Sequence, residues 1–219
     1  MQNVILISTE HVESGKCSSD ELLKITESIK PDVIFEEEPN DDKYHISYTD
    51  QNSFKSLEIQ TIIKYKQNHD IVNLPIDKPI NEFASLYLLD RFTKMFIQNQ
   101  DYKDLIREHC SLRDKNGFTY LNSKQCSDLN EKKILLEKQI ISSSGLAKNE
   151  LTNLYNQFHQ EVVAREIKMI ESIYEFTRSN KYNKALFFLG YAHRESIRKK
   201  ISEYTVINSS RINWTFYHE

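Results

Sequence analysis

VILISTEHVESGKCSSDELLKITESIKPDVIFEEE, residues 4–38, is the stretch that decides the fold. Val4–Ile7 is a short apolar run that stops at Ser8 and Thr9. A polar loop through Gly15 follows. Ser18 and Glu21 then have capping-box spacing, in which the two side chains satisfy backbone N–H groups left over at a helix start. Leu22, Leu23, Ile25 and Ile29 supply an apolar helix face, and Pro31 ends the helix. Val33–Phe35 is a second apolar run, halted by Glu36, Glu37 and Glu38. Runs without polar alternation fit strands buried on both faces, as in parallel sheets. Two of them joined by a helix predict a right-handed βαβ crossover.

The rest of the chain extends this pattern. Residues 40–52 are polar and predict a loop. Phe54, Leu57, Ile62 and Tyr65 mark a helix. Ile71–Leu74 reads as a third strand, ended by Pro75, with Asp77 just beyond. Phe83, Leu86, Tyr87, Phe92, Met95 and Phe96 have helical spacing, and further helices are predicted over 101–111 and 127–142. Residues 79–147 therefore read as a helical insertion, a lid, within a single α/β domain spanning 1–219. A long helix is predicted over 149–178, then a strand at Lys184–Gly190, a helix over 194–203, and strands at Thr205–Ile207 and Trp214–Tyr217. The expected fold class is α/β, a mostly parallel central sheet flanked by helices. Only four Gly and four Pro occur, which favours long regular elements.

Composition narrows the function. A net charge of −3 argues against a dedicated nucleic-acid binder, which carries a basic excess. No apolar run approaches the ~20 residues of a membrane span, so no membrane partner is expected. No basic leader with a cleavage site opens the sequence, which predicts a cytoplasmic protein. The three cysteines are distant, odd in number and without a CxxC, as reduced thiols would be. Cys17, close after His11, is either a nucleophile or a passive thiol with nothing nearby to lower its pKa.

Ligands of open α/β sheets bind outside the carboxyl ends of the strands. His11 follows the first strand, Glu36–Glu38 the second and Asp77 the third, and Gly190, Tyr191, Ala192, His193 and Arg194 end the late one. Strand alternation puts Val33, Phe35 and Glu37 on one face and Ile34, Glu36 and Glu38 on the other, so only one set can turn toward a cleft. Imidazoles with carboxylates suit a divalent transition metal, which would acidify a bound water. Without a metal, an imidazole oriented by a carboxylate is a general base. His11, Glu37 and His193 are the expected metal ligands; with Glu36 and Arg165 they form the expected catalytic group. Gly190, Tyr191, Arg194, Asp77 and Glu166 are expected to bind substrate. Gly190 permits close approach of a ligand, and the amides opening the helix after His193 suit an anion. Arg165 falls inside the apolar stripe Phe158, Val162, Met169, Ile173, so it either snorkels to solvent or aims inward at a carboxylate.

These motifs resemble a superfamily that includes the TraB/PrgY and Tiki proteins, the erythromycin-esterase-like enzymes and the ChaN-type haem-binding proteins. Its members carry an early and a late GxxH after strands, a Glu ending the second strand, and an Arg on a long helix. Here the early motif is Ser8-Thr9-Glu10-His11, with serine in place of glycine. The second-strand motif is Pro31-Asp32-Val33-Ile34-Phe35-Glu36-Glu37, in a register that favours Glu37. The helix motif is Arg165-Glu166-Ile167, where relatives often have Asn after the Arg, and the late motif Gly190-Tyr191-Ala192-His193 is intact. The resemblance covers both ends of the chain and skips residues 80–145. It implies an α/β core with a polar cleft and a hydrolase of a small-molecule ester or a peptide, metal-assisted by Mn, Co or Zn. The alternative it implies is a non-catalytic binder of haem or another small ligand, with Tyr87, Phe92 and Phe96 available to a flat ligand. A scaffold with a vestigial site is a third reading, and a homodimer is left open.

Overall fold

The computed structural model describes residues 1–79, 82–208 and 212–218. Its strands are β1 (Gln2–Thr9), β2 (Val33–Pro39), β3 (Val72–Asp77), β4 (Lys184–Gly190) and β5 (Ile212–Phe216). Its helices are α1 (Ser19–Ile29), α2 (Asp42–Thr49), α3 (Leu57–Lys66), α4 (Glu82–Phe96), α5 (Gln100–Asn116), α6 (Phe118–Leu121), α7 (Lys124–Ser142), α8 (Lys148–Ser179) and α9 (Arg194–Asn208). The strands form one all-parallel sheet in the order β3-β2-β4-β1-β5, flanked by helices, an α/β fold. No helix among the described residues is long and apolar enough to cross a membrane.

The opening unit forms as its residues predict. The Ser18 side chain accepts a hydrogen bond from the Glu21 amide and caps α1. Lys30, in the left-handed region at φ 53°, closes the helix before Pro31. The crossover differs in one respect: β1 and β2 are not neighbours. β4 runs between them, pairing Thr9 with Gly190 on one side and Glu36 with Phe188 on the other. Ala185–Leu189 are buried throughout, and the most apolar strand takes the centre, where both faces and both edges are covered.

Three other expectations are corrected. Residues 40–52 are not all loop, since α2 forms over Asp42–Thr49 and is tied to the sheet end by Tyr44 and Tyr48. Pro75 does not end β3; it pairs with Glu36 inside the strand. β3 is an edge strand, where a missing N–H is tolerated. Thr205–Ile207 is not a strand but continues α9. A short β-branched run that follows a helix without a break extends it, each added residue gaining a backbone hydrogen bond.

Alternation along the strands separates two cores. On one face Leu6, Phe35 and Phe187 pack against Met169 and Ile173 of α8 and Ile197 of α9. On the other, Ile7, Ile34 and Phe188 pack against Leu22 of α1 and Leu57 and Ile62 of α3. A third cluster, Phe92, Phe96, Tyr102, Ile141, Leu151 and Tyr155, joins α4, α5 and α7 to the first half of α8. The 32-residue α8 therefore serves two cores, the helical layer with its first half and the sheet with its second.

Candidate active site

Glu37 lies on the same face of β2 as Val33 and Phe35, so it turns toward α8. There it meets Arg165, whose Nη2 donates to Glu37 Oε1 at 3.1 Å. The same guanidinium donates to Asp77 Oδ2 through Nε at 2.8 Å and Nη2 at 2.5 Å. His193 Nε2 stands 3.2 Å from Glu37 Oε1, and His193 Nδ1 stands 2.7 Å from Glu166 Oε1. Glu166 Oε2 accepts from Lys200 Nζ at 2.7 Å and from Ser196 Oγ at 2.5 Å. Asp77, Arg165, Glu37, His193, Glu166 and Lys200 thus form one chain of alternating sign, drawn from β3, α8, β2, the turn after β4, and α9. Arg165 points inward, as one of its two readings required.

The chain fixes its protonation states. Burial alone would push the His193 pKa down, but Glu37 and Glu166 outweigh it and raise it to about 10. With a carboxylate on each nitrogen, the ring is an imidazolium with two donors. Burial likewise favours neutral Glu37, yet His193, His11 and Arg165 hold it down at about 2. The second Glu37 oxygen, Oε2, accepts the Gly190 amide at 2.7 Å.

His11 is held differently. Its ring sits on the loop after β1, with the side chain 51% exposed, and Nδ1 stands 3.4 Å from Glu58 Oε1. Glu58 also accepts from Thr9 Oγ1 at 2.5 Å. The hydrogen bond to Glu58 raises the His11 pKa to about 9, and solvent on the exposed half screens the charge that results. Its Nε2 has no hydrogen-bond partner among the described residues. That nitrogen lies 3.8 Å from the point a side chain at Gly190 would occupy; His193 Cδ2 is 3.7 Å and Glu37 Oε2 3.2 Å from the same point. Two imidazoles and a carboxylate therefore face one space, which the absence of a Cβ at Gly190 leaves clear.

The remaining predicted residues divide. Glu36 lies on the other face of β2, buried, accepting from Tyr44 Oη at 2.6 Å, Asn73 Nδ2 at 2.9 Å and Tyr48. Burial raises its pKa, against those three donors, and its oxygens are closed in beneath α2. Arg194 is buried and turns back to the end of β1, donating to Asn122 Oδ1 at 3.0 Å and the Tyr217 carbonyl at 3.3 Å. Tyr191 stacks on His109 with ring centres 4.4 Å apart. Neither shares the space above Gly190. Phe92 and Phe96 stack on each other inside the third core, while Tyr87 is exposed. Cys17 is wholly buried, and burial pushes its thiol up to about 12, which leaves the passive reading.

Sequence reasoning missed Glu58. Its signal was present: with Ile62 and Tyr65 it forms a buried stripe at i, i+4, i+7, a charge among apolar positions like Arg165. Lys200 and Ser196 carried no such signal. Glu38 also emerges here, pushed up to about 7 by burial and by Glu36.

The donor set does not fit a metal as it is arranged. A ligating imidazole must offer a lone pair, and both His193 nitrogens face carboxylates. Both Glu37 oxygens are likewise occupied. Among the described residues no group of three His, Cys, Asp or Glu is disposed to hold an ion.

On the α8 side, His193 also forms part of the wall of a cavity of about 490 Å³ that runs into the helical layer. Set against protein-family models, curated proteins and solved structures, the chain matches none of them.

Proposed function

We propose that this protein hydrolyses an ester or amide bond, with His11 as general base and His193 and Arg165 as fixed positive charge. The observation that carries the reading is the contrast between two rings facing one space. His193 has both nitrogens committed to carboxylates, and His11 has Nδ1 on Glu58 and Nε2 unpartnered. A carboxylate-oriented imidazole with one open nitrogen is suited to take a proton from water. As it does so, the water oxygen bonds to the acyl carbon and negative charge gathers on the carbonyl oxygen. Arg165, whose Nη1 has no hydrogen-bond partner among the described residues, offers a preorganised donor at that point, which lowers the barrier. The bond to the leaving oxygen or nitrogen then breaks, and the leaving group takes the proton from His11 Nε2, which restores the base.

The test is turnover of a panel of nitrophenyl esters and short peptides by wild type, His11→Ala and His193→Ala. Loss in both variants supports the reading, and residual activity equal to wild type in either one sinks it. The cavity favours a second reading, binding of a small ligand without turnover. In its haem form the nitrogens open to an axial bond include His11 Nε2 and, on the cavity wall itself, His159 Nε2, and a haem titration without a Soret shift removes that form.

A further inference from the structure

The cavity beside His193 is strongly divided in its chemistry. Its walls are mostly apolar, with Phe92, Phe96, Phe158 and Val162 among them, and carry His159, whose buried Nε2 has no hydrogen-bond partner among the described residues. At one end stand His193, Arg165 and Ser196, the charged chain of the site. Leu89 and Val163 also line it, yet are 50% and 42% exposed, so apolar surface there stays wet until something covers it. Its volume of about 490 Å³ lies within the range of pockets that enclose a small molecule.

The charges at the polar end compensate one another. Arg165 is matched by Asp77 and Glu37, and His193 by Glu37 and Glu166. A ligand head that carried a full charge would upset that balance. A neutral carbonyl would not, and it presents an acceptor toward Arg165, whose Nη1 has no hydrogen-bond partner among the described residues. Elsewhere in the lining the buried Glu137 carboxylate is likewise compensated, by Tyr102, Tyr155 and Lys133 at 3.2, 2.7 and 2.8 Å. It has no need of a cationic ligand.

We infer that the cavity is an acyl pocket: the substrate is a neutral ester or amide whose apolar acyl group lies among Phe92, Phe96, Phe158 and Val162 and whose carbonyl accepts from Arg165 beside His193. The inference rests on the hydrolase reading for the reaction but not for the pocket. Each methylene moved from water into the pocket contributes about threefold to fourfold in kcat/KM until the space is full.

The experiment has two arms. In the first, kcat/KM is measured for nitrophenyl esters from acetate to decanoate. Wild type is expected to climb by roughly threefold per methylene and then level off. Val162→Trp fills the pocket, and Val163→Lys sets a charge at its mouth, an exposed position that does not endanger folding. Both should flatten the climb. A series flat in wild type, or a climb untouched in Val163→Lys, overturns the pocket. The second arm measures binding of decanamide, which has a neutral carbonyl head, by calorimetry in the same proteins. If no ester is hydrolysed, the hydrolase reading fails. Decanamide binding that Val163→Lys weakens tenfold or more then still supports the pocket, and no binding overturns it.

Discussion

His193 and His11 face the same space above Gly190 from two very different settings. His193 is 14% exposed and gripped at both nitrogens by buried carboxylates, each held in turn by a further cation. His11 is half in water and rests on one carboxylate at 3.4 Å. A buried charge must be paired on every side, because an uncompensated one costs several kcal/mol. A group that moves a proton must keep one nitrogen open and shift between two states. The contrast teaches that the same residue type is a permanent charge in one place and a switchable base in the other. What differs is the count of partners, not the side chain.

The largest expected effect lies on the exposed ring. His11→Ala should lower turnover by about 10²–10⁴-fold, the usual contribution of a positioned base. It should cost about 1–2 kcal/mol in urea unfolding, less than the buried variants, because His11 itself is half-exposed while the buried Glu58 it leaves behind keeps only the Thr9 hydroxyl. A stability loss as large as that of the buried variants would break the comparison. Glu37→Leu comes next. It strands Arg165 and His193 and should cost about 3–5 kcal/mol in the same unfolding experiment. A loss below about 1 kcal/mol would mean the charged chain is not holding the strand ends together.

Gly190→Ala should be smaller, about 1–2 kcal/mol. The added Cβ meets Glu37 Oε2 at 3.2 Å, and Glu37 is held by the Gly190 amide, Arg165 and His193, so it cannot move aside freely. A variant as stable as wild type would show that Glu37 has room. The finest test is of pH. Glu58 raises the His11 pKa, so the rising limb of the activity profile should lie near pH 9 in wild type and move toward 6.5 in Glu58→Gln. A limb that stays in place would reassign the base.

The buried pair has its own pH signature. The His193 pKa is raised in the folded protein, so its stabilisation is complete below 6.5 and fades as pH climbs through about 10. The Glu37 pKa is lowered, so its share is complete above 4.5 and fades as pH falls through about 2. The His193 ring proton signals in NMR should therefore remain those of an imidazolium across neutral pH.

Much of this was legible beforehand at particular residues. Alternation along Val33–Glu38 separated Glu37 from its two neighbours, and the structure sends Glu37 to α8 and Glu36 beneath α2. Arg165 stood out as a charge in an apolar stripe. Glu58 carries the same mark beside Ile62 and Tyr65, but a stripe defined by apolar residues alone passes over it. Thr205–Ile207 reads as a strand and is helix, because three β-branched residues cannot by themselves distinguish a strand from the last turn of a helix.

By itself the sequence determined the α/β class, the facing of each strand residue and the positions where charge sits among apolar neighbours. These are local: they follow from periods of 2 and 3.6 residues and from helix-end chemistry. Only the tertiary structure decided that β4 passes between β1 and β2, and that the Gly190 amide meets Glu37 across 153 positions of chain. It alone decided that His193 has a carboxylate on each nitrogen while His11 keeps one open. Such pairings depend on how distant segments pack. The free energy that selects them is spread over the burial of whole strands, so no short stretch of residues spells them out.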